Sequence, residues 1–254
     1  MAETYTVLAR VYKAVGLADA SEELRQRLFG KIQSDGWLGR RILDLGCGIG
    51  EGCCWFSANG FRITGVDQSE AMLDEARQLS DEMGVTVDWL QGDIREIDAG
   101  TDYDLVISVN TLNEMRSIRD LEMVFQAANR ALGMEKMLVF DLMTIQGLAE
   151  NWGNADRVIY DDSDQLMLVA RSRFSFETSA NTRAYVIFRQ EGAGWQREDE
   201  THVLRGYSLQ AVGALLQRTG FRVQTVINPL FDTFDPYADE TGQAIFLAVK
   251  ERNL

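Results

Sequence analysis

The sequence predicts an α/β fold, with a doubly wound, mostly parallel seven-stranded sheet carrying an antiparallel β insert. Two observations predict it. Between residues 41 and 142, short apolar runs alternate with amphipathic helical stretches. That rhythm builds right-handed strand–helix–strand units, with helices on both faces of one sheet. Beyond residue 142 it gives way to consecutive β-rich runs joined by short turns, which close as antiparallel hairpins.

Residues 3–33 read as helix. Tyr5, Leu8, Ala9, Tyr12 and Val15 recur at spacings of three and four, and Leu17, Leu24, Leu28 and Ile32 continue similarly. The run 41–45 is the first strand, nearly all apolar as if covered on both sides. A glycine cluster follows, then a helix stopped at Asn59-Gly60. Residues 61–66 form the second strand, and Ser69 caps a helix bearing Met72, Leu73, Ala76 and Leu79 on one face. Strands at 85–90 and 103–109 come next. Ile118, Leu121, Phe125, Ala128 and Leu132 mark a helix ended by Gly133, ahead of a fifth strand at 136–142. Three consecutive strands read at 165–177, 182–190 and 194–207. Ser208 then opens a helix that stops at Gly220, and strands at 221–227 and 244–250 close the pattern. The chain 1–254 reads as one domain, with a helical N-terminal segment at 1–35 and the β insert at 145–205.

Composition excludes several classes. With 254 residues, 46% of them hydrophobic and 25% charged, this is an ordinary globular chain with room for a sizeable core. Its 25 basic and 39 acidic residues give a net charge of −14, against a broad grip on nucleic acid. The stretch 153–205 holds seven arginines, no lysine and nine acids, so no basic stripe emerges. Small neutral or cationic partners suit this charge better, and a nucleic-acid partner is not expected. Cys47, Cys53 and Cys54 are too few for a disulfide framework. With His202 the single histidine, no metal site is expected. No run approaches the ~20 apolar residues that span a bilayer, and the N-terminus lacks a signal-peptide core. No membrane contact and a reduced, cytoplasmic location are expected; monomer and homodimer both stay open.

The chemistry concentrates at Asp44-Leu45-Gly46-Cys47-Gly48-Ile49-Gly50, after a strand and before a helix. Gly46 and Gly48 allow a tight turn with a ligand against bare backbone, and Gly50 lets the helix start close to the sheet. A dinucleotide fingerprint wants glycine where Glu51 stands. A carboxylate there is badly placed for a pyrophosphate and suits a ligand carrying an ammonium and a sulfonium. Glu51 therefore opposes the rival reading, a nicotinamide-dependent oxidoreductase on a similar sheet. Asp67, directly after the second strand, can accept both ribose hydroxyls, or stabilise the N-terminus of the helix that Ser69 opens. Gly92-Asp93-Ile94 follow the third strand.

ILDLGCGIGEG, ITGVDQSEAMLDEAR, QGDIRE and YDLVISVNTLNEM, in order over 41–115, resemble the motifs of class I S-adenosylmethionine-dependent methyltransferases. FDLMT, THVLRGYS and LLQRTGFRV are similar to a bacterial small-molecule subgroup. There, a helical N-terminal lid and an antiparallel insert after the fifth strand cover the site. The resemblance implies a Rossmann-like methyltransferase fold, S-adenosylmethionine as donor and S-adenosylhomocysteine as product. It further implies a small-molecule acceptor methylated at nitrogen or oxygen by in-line displacement. Roles follow from it. Asp44 would orient the donor's amino group through water, and Gly46, Cys47 and Gly48 would offer backbone to its methionine part. Asp67 would hold the ribose, with Gln68 beside the adenine. Asp93 would accept from the adenine amino group, Ile94 would supply a backbone N–H, and Val109 a carbonyl to the ammonium.

A sulfonium donor is already activated, so the protein mainly positions the reactants and excludes water. A base is needed only where the acceptor carries a proton. Two candidates touch the reaction. Tyr12 would cover the methyl-sulfonium region, or pack its helix on the sheet; His202 would take a proton, or bond a neighbouring strand. Four candidates face the acceptor. Asn113 and Asp141 sit near carboxyl ends of parallel strands, where ligands bind. Trp152 would wall the pocket or anchor the insert, and Arg205 would bind an acceptor carboxylate or a surface acid. Cys53 and Cys54, inside a helix, are expected to pack. RNA methylation is a second rival, but Val109–Asn113 carry no Asn/Asp-Pro-Pro-aromatic tetrad. A regulatory protein that binds the donor without turnover is a third.

Overall fold

The computed structural model describes residues 5–236 and 241–254. Where the sequence predicts one helix over 3–33, two helices form, α1 (Ala9–Tyr12) and α2 (Asp19–Ser34); residues 3 and 4 lie outside the described residues. The break falls at Gly16, whose φ of 70° no helix accommodates. It sends the two halves to different places. Leu8, Val11 and Val15 pack against the insert, whereas Leu24, Leu28, Phe29 and Ile32 pack against the main sheet.

Five parallel strands then follow, β1 (Arg41–Leu45), β2 (Arg62–Asp67), β3 (Asp88–Gln91), β4 (Tyr103–Ser108) and β5 (Leu132–Met143). Between them run α3 (Glu51–Ala58), α4 (Glu70–Met83) and α5 (Ile118–Ala131). Strand β3 starts three residues later than the 85 expected, because the Val85 N–H donates back to Ser80 O (3.0 Å) to close α4 behind Gly84. Strand β5 starts earlier, at Leu132, and Gly133 does not cap α5. The buried Lys250 ammonium donates to the carbonyls of Asn129 and Leu132 instead (2.6 and 2.7 Å), so the helix end needs no left-handed cap.

After β5 come α6 (Ile145–Gly147) and a π-helical turn over Leu148–Trp152. The insert is a four-stranded antiparallel meander: β6 (Asp156–Asp161), β7 (Leu166–Ser175), β8 (Ala180–Glu191) and β9 (Gly194–Arg205). The sequence reading contains three of these. It misses β6, a mostly exposed edge strand without a clean apolar alternation. The chain then forms α7 (Leu209–Arg218), β10 (Phe221–Ile227) and β11 (Gln243–Lys250).

The main sheet has seven strands in the order β10-β11-β5-β4-β1-β2-β3, with β11 antiparallel to both its neighbours. The predicted fold class therefore holds. Apolar layers cover both faces of the sheet. On one of them the Phe140 and Phe246 rings stack, centroids 5.1 Å apart. Among the described residues no helix is long and apolar enough to cross a membrane.

Candidate active site

A crevice opens where β1, β2, β3 and β4 end, the rim at which open parallel sheets bind ligands. The turn after β1 is laced to β2. Gly46 and Cys47 donate their N–H groups to Val66 O (2.8 and 3.0 Å), and Gly48 N–H donates to Asp67 Oδ2 (2.9 Å). Gly46 (φ 77°) leaves no room for a side chain, since a Cβ there would lie 2.3 Å from Thr111. Gly48 (φ 56°) has nothing within 4 Å of that position, so bare backbone faces open space. A Cβ on Gly50 would strike Trp89 at 2.4 Å, so α3 does start hard against the sheet.

Asp67 also accepts from Ser69 N–H (2.9 Å) through its other oxygen, which fixes the carboxylate at the crevice wall. Burial pushes its carboxyl up, against the pull of those backbone bonds. Gln68 lies exposed at the rim, and Cys47, Ile94 and Val109 are buried in the wall. The Val109 carbonyl accepts from Thr111 Oγ1 (3.1 Å). Asp93 also lines the crevice, gripped by Arg95, whose Nε lies 2.9 and 3.0 Å from its two oxygens. That grip holds the Asp93 carboxyl below its ordinary value.

Asp44 sits behind the wall rather than in it. It is fully buried, 3.3 Å from Arg25 Nε, and its Oδ1 has no hydrogen-bond partner. Arg25, paired also with Glu22, presents itself to the crevice instead. Donor set and shape fit an adenosyl sulfonium. There is an uncrowded stretch of main chain at Gly48, a fixed carboxylate one strand over, and an orphaned buried oxygen behind Arg25.

Tyr12, His202 and Arg205 line the far end of the crevice. His202 Nε2 lies 2.8 Å from Glu200 Oε1, and its ring centroid is 4.1 Å from that of Tyr5. Arg205 donates to Thr178 O (2.6 Å). Asn113, Asp141 and Trp152 do not line the crevice. Asn113 donates to Met143 O and Arg205 O (2.9 and 2.8 Å) and accepts from Met143 N–H, tying β5 to β9. Asp141 accepts from Asn110 N–H and Gln243 Nε2 (2.7 and 2.6 Å), steadying the loop after β4. Trp152 packs beside α1, with the Arg183 guanidinium 3.6 Å from its ring centroid.

Three crevice groups, and Glu200 bonded behind His202, escape the sequence reading. Arg25 looks like any charged residue of an amphipathic helix. Tyr5 counted only as a helical apolar position, and Glu114 only as a letter of the NTLNEM motif. Glu200 carried no signal. Tyr5 O–H donates to Glu114 Oε1, and Glu200 accepts N–H groups from Tyr5, Val7 (2.9 Å) and Leu8 (3.0 Å).

Comparison with known proteins adds four likenesses. Residues 42–134 match a family described as "Methyltransferase domain". The Bacillus subtilis (strain 168) protein YqeM, provisionally assigned as a methyltransferase, is 30% identical over 220 residues, covering 84% of this chain and 85% of its own. An S-adenosylmethionine-dependent methyltransferase from Clostridium acetobutylicum superposes with a TM-score of 0.82 at 20% identity, over 98% of this chain and 99% of its own. The amino pentose methyltransferase CalS10 of Micromonospora echinaspora, solved with S-adenosylmethionine bound, gives 0.69 at 18% identity, over 94% and 96%.

Proposed function

Because this chain belongs to the class I S-adenosylmethionine-dependent methyltransferases, we propose that it methylates a nitrogen or oxygen of a small molecule in this crevice, with a cytoplasmic setting. S-adenosylmethionine supplies an activated methyl group on a sulfonium. The chain's own residues then have four tasks: to bind, to align, to keep water out and to accept a proton where the acceptor carries one.

In this reading Asp67 accepts the ribose hydroxyls, the Gly46–Gly48 backbone lies along the methionine part, and Gln68, Asp93 and Ile94 border the adenine. Val109 O and Glu51 face the donor's positive end. Asp44 acts through Arg25 rather than by contact, holding the guanidinium that lines the crevice. Tyr12 and the segment around it close over the reacting atoms from one side, and the insert sheet from the other. His202 and Arg205 belong to the acceptor end, while Asn113, Asp141 and Trp152 keep its walls in register.

The observation that carries the reading is the Gly48–Asp67 contact, a bare turn fastened to a carboxylate across two parallel strands. Calorimetry with S-adenosylhomocysteine tests it directly. Binding by the wild-type chain, with no competition from NADH, is the expected result; NADH binding without the sulfur ligand would reject it.

A further inference from the structure

We propose that the methyl acceptor is an amine, held as its ammonium against Glu114 and relieved of its proton by that carboxylate before methylation. This rests on the methyltransferase reading above and deepens it.

Glu114 ends the short 3-10 turn after β4, where its side chain lines the crevice and is 19% exposed. Groups face it from every element packed around it: Tyr5 and Tyr12 from the N-terminal segment, Asp67 from β2, Arg183 from β8 and His202 from β9. Their chemistry is lopsided. The Tyr5 hydroxyl already donates to Glu114, and His202 Nδ1 stands 3.9 Å away. The Arg183 guanidinium is stacked on Trp152. Of the arginines lining the crevice, Arg205 is bonded to the Thr178 carbonyl, Arg25 is paired with Glu22 and Asp44, Arg95 is paired with Asp93 and Asp120, and Arg116 has its side chain exposed. What remains toward the crevice is a carboxylate and two phenol rings 6.1 Å apart. Carboxylate and aromatic faces together are what a cation seeks. An anionic or neutral acceptor would leave the charge on Glu114 poorly compensated.

Burial pushes the Glu114 carboxyl above its ordinary value, against the Tyr5 bond and His202. That makes it a better base. An alkylammonium lies within reach of such a base, whereas an alkyl hydroxyl is too weak an acid to surrender its proton to a carboxylate. The balance is simple. R–NH3⁺ gives one proton to Glu114 and becomes R–NH2. The nitrogen lone pair forms the new N–CH3 bond as the S–CH3 bond breaks, and that bond's electron pair stays on sulfur as a neutral thioether. R–NH2⁺–CH3 leaves, and the Glu114 proton passes to water.

The test feeds wild-type chain and methyl-labelled S-adenosylmethionine a bacterial small-molecule extract, before and after N-acetylation with acetic anhydride in bicarbonate. Acetylation is expected to cut incorporation at least tenfold, with the labelled product retained on a cation exchanger. Glu114→Gln is expected to lose at least tenfold in rate and the acidic limb of the wild-type pH profile. Its S-adenosylhomocysteine affinity should stay within twofold, which also shows the variant is folded, while Glu114→Asp recovers part of the rate. Label that survives acetylation overturns the proposal, as does a Glu114→Gln chain with wild-type rate and pH limb; methyl transfer itself would still stand. Loss of S-adenosylhomocysteine binding by the wild-type chain would instead fail the function it rests on.

Discussion

The two ends of the crevice are built differently. At the donor end the key contact joins residues 19 apart in sequence, Gly48 in the turn after β1 and Asp67 at the end of β2, the strand paired with it. At the acceptor end Tyr5 meets Glu114 across 109 residues, and Val7 meets Glu200 across 193. The first arrangement needs only the β1 turn and the neighbouring β2. The second exists only once the N-terminal segment and the insert have docked on each other. Donor binding should therefore depend on local geometry, and acceptor handling on long-range assembly.

That contrast can be broken at several points. The largest effect should come from the shared foundation. Phe246→Ala removes one ring of a fully buried stacked pair and should cost about 3–5 kcal/mol of stability. Urea denaturation measures it, and loss of both ends in one transition is expected. Asp67→Ala should weaken donor binding by about 1–3 kcal/mol without unfolding the chain. Unchanged affinity in a folded variant would remove the carboxylate from the donor site. Tyr12→Ala should slow methyl transfer on the order of tenfold, about 1.4 kcal/mol in the barrier, with donor affinity nearly intact. Equal loss of donor affinity would mean the two ends are not separable.

The smallest effect concerns acid. Asp104 accepts N–H groups from Arg40 and Arg41 and faces Lys136. Burial opposes its charge, but those partners win and hold its carboxyl down to about 2, against 3.8 unperturbed. A depressed carboxyl lends stability above its unfolded value and loses it as pH falls through the folded one. The gap in melting temperature between wild type and Asp104→Asn should stay constant near neutrality and shrink between about pH 4 and pH 2. A gap that persists at pH 2 would show the contribution is not ionic.

The same contrast governs how much the sequence disclosed. Strands β1, β2, β4, β10 and β11 were legible because apolar runs bounded by turn residues suffice to specify them. So was the glycine turn, whose meaning lies within seven consecutive letters. Asn113 and Asp141 were recognisable as strand-end polar residues. Whether they face the crevice or bond the backbone behind it depends on Met143, Arg205, Asn110 and Gln243, none adjacent in sequence. Asp44 was hidden in the same way, because the sequence does not say that Arg25 from α2 will reach it. Glu200 and Glu114 were two acids among 39; only the folded chain brings both around His202. The helix predicted through Gly16 failed for a related reason, since periodicity alone does not reveal that its two halves serve different partners.

One feature of the main sheet bears on how the molecule is made. Strand β11 threads between β5 and β10, yet it leaves the ribosome after both. Until it arrives, each neighbour carries a naked row of amide and carbonyl groups, a ready template for another polypeptide. The nascent chain is thus at its most adhesive late in synthesis. A chain truncated before residue 243 should aggregate on release, where the chain through residue 254 stays in the supernatant.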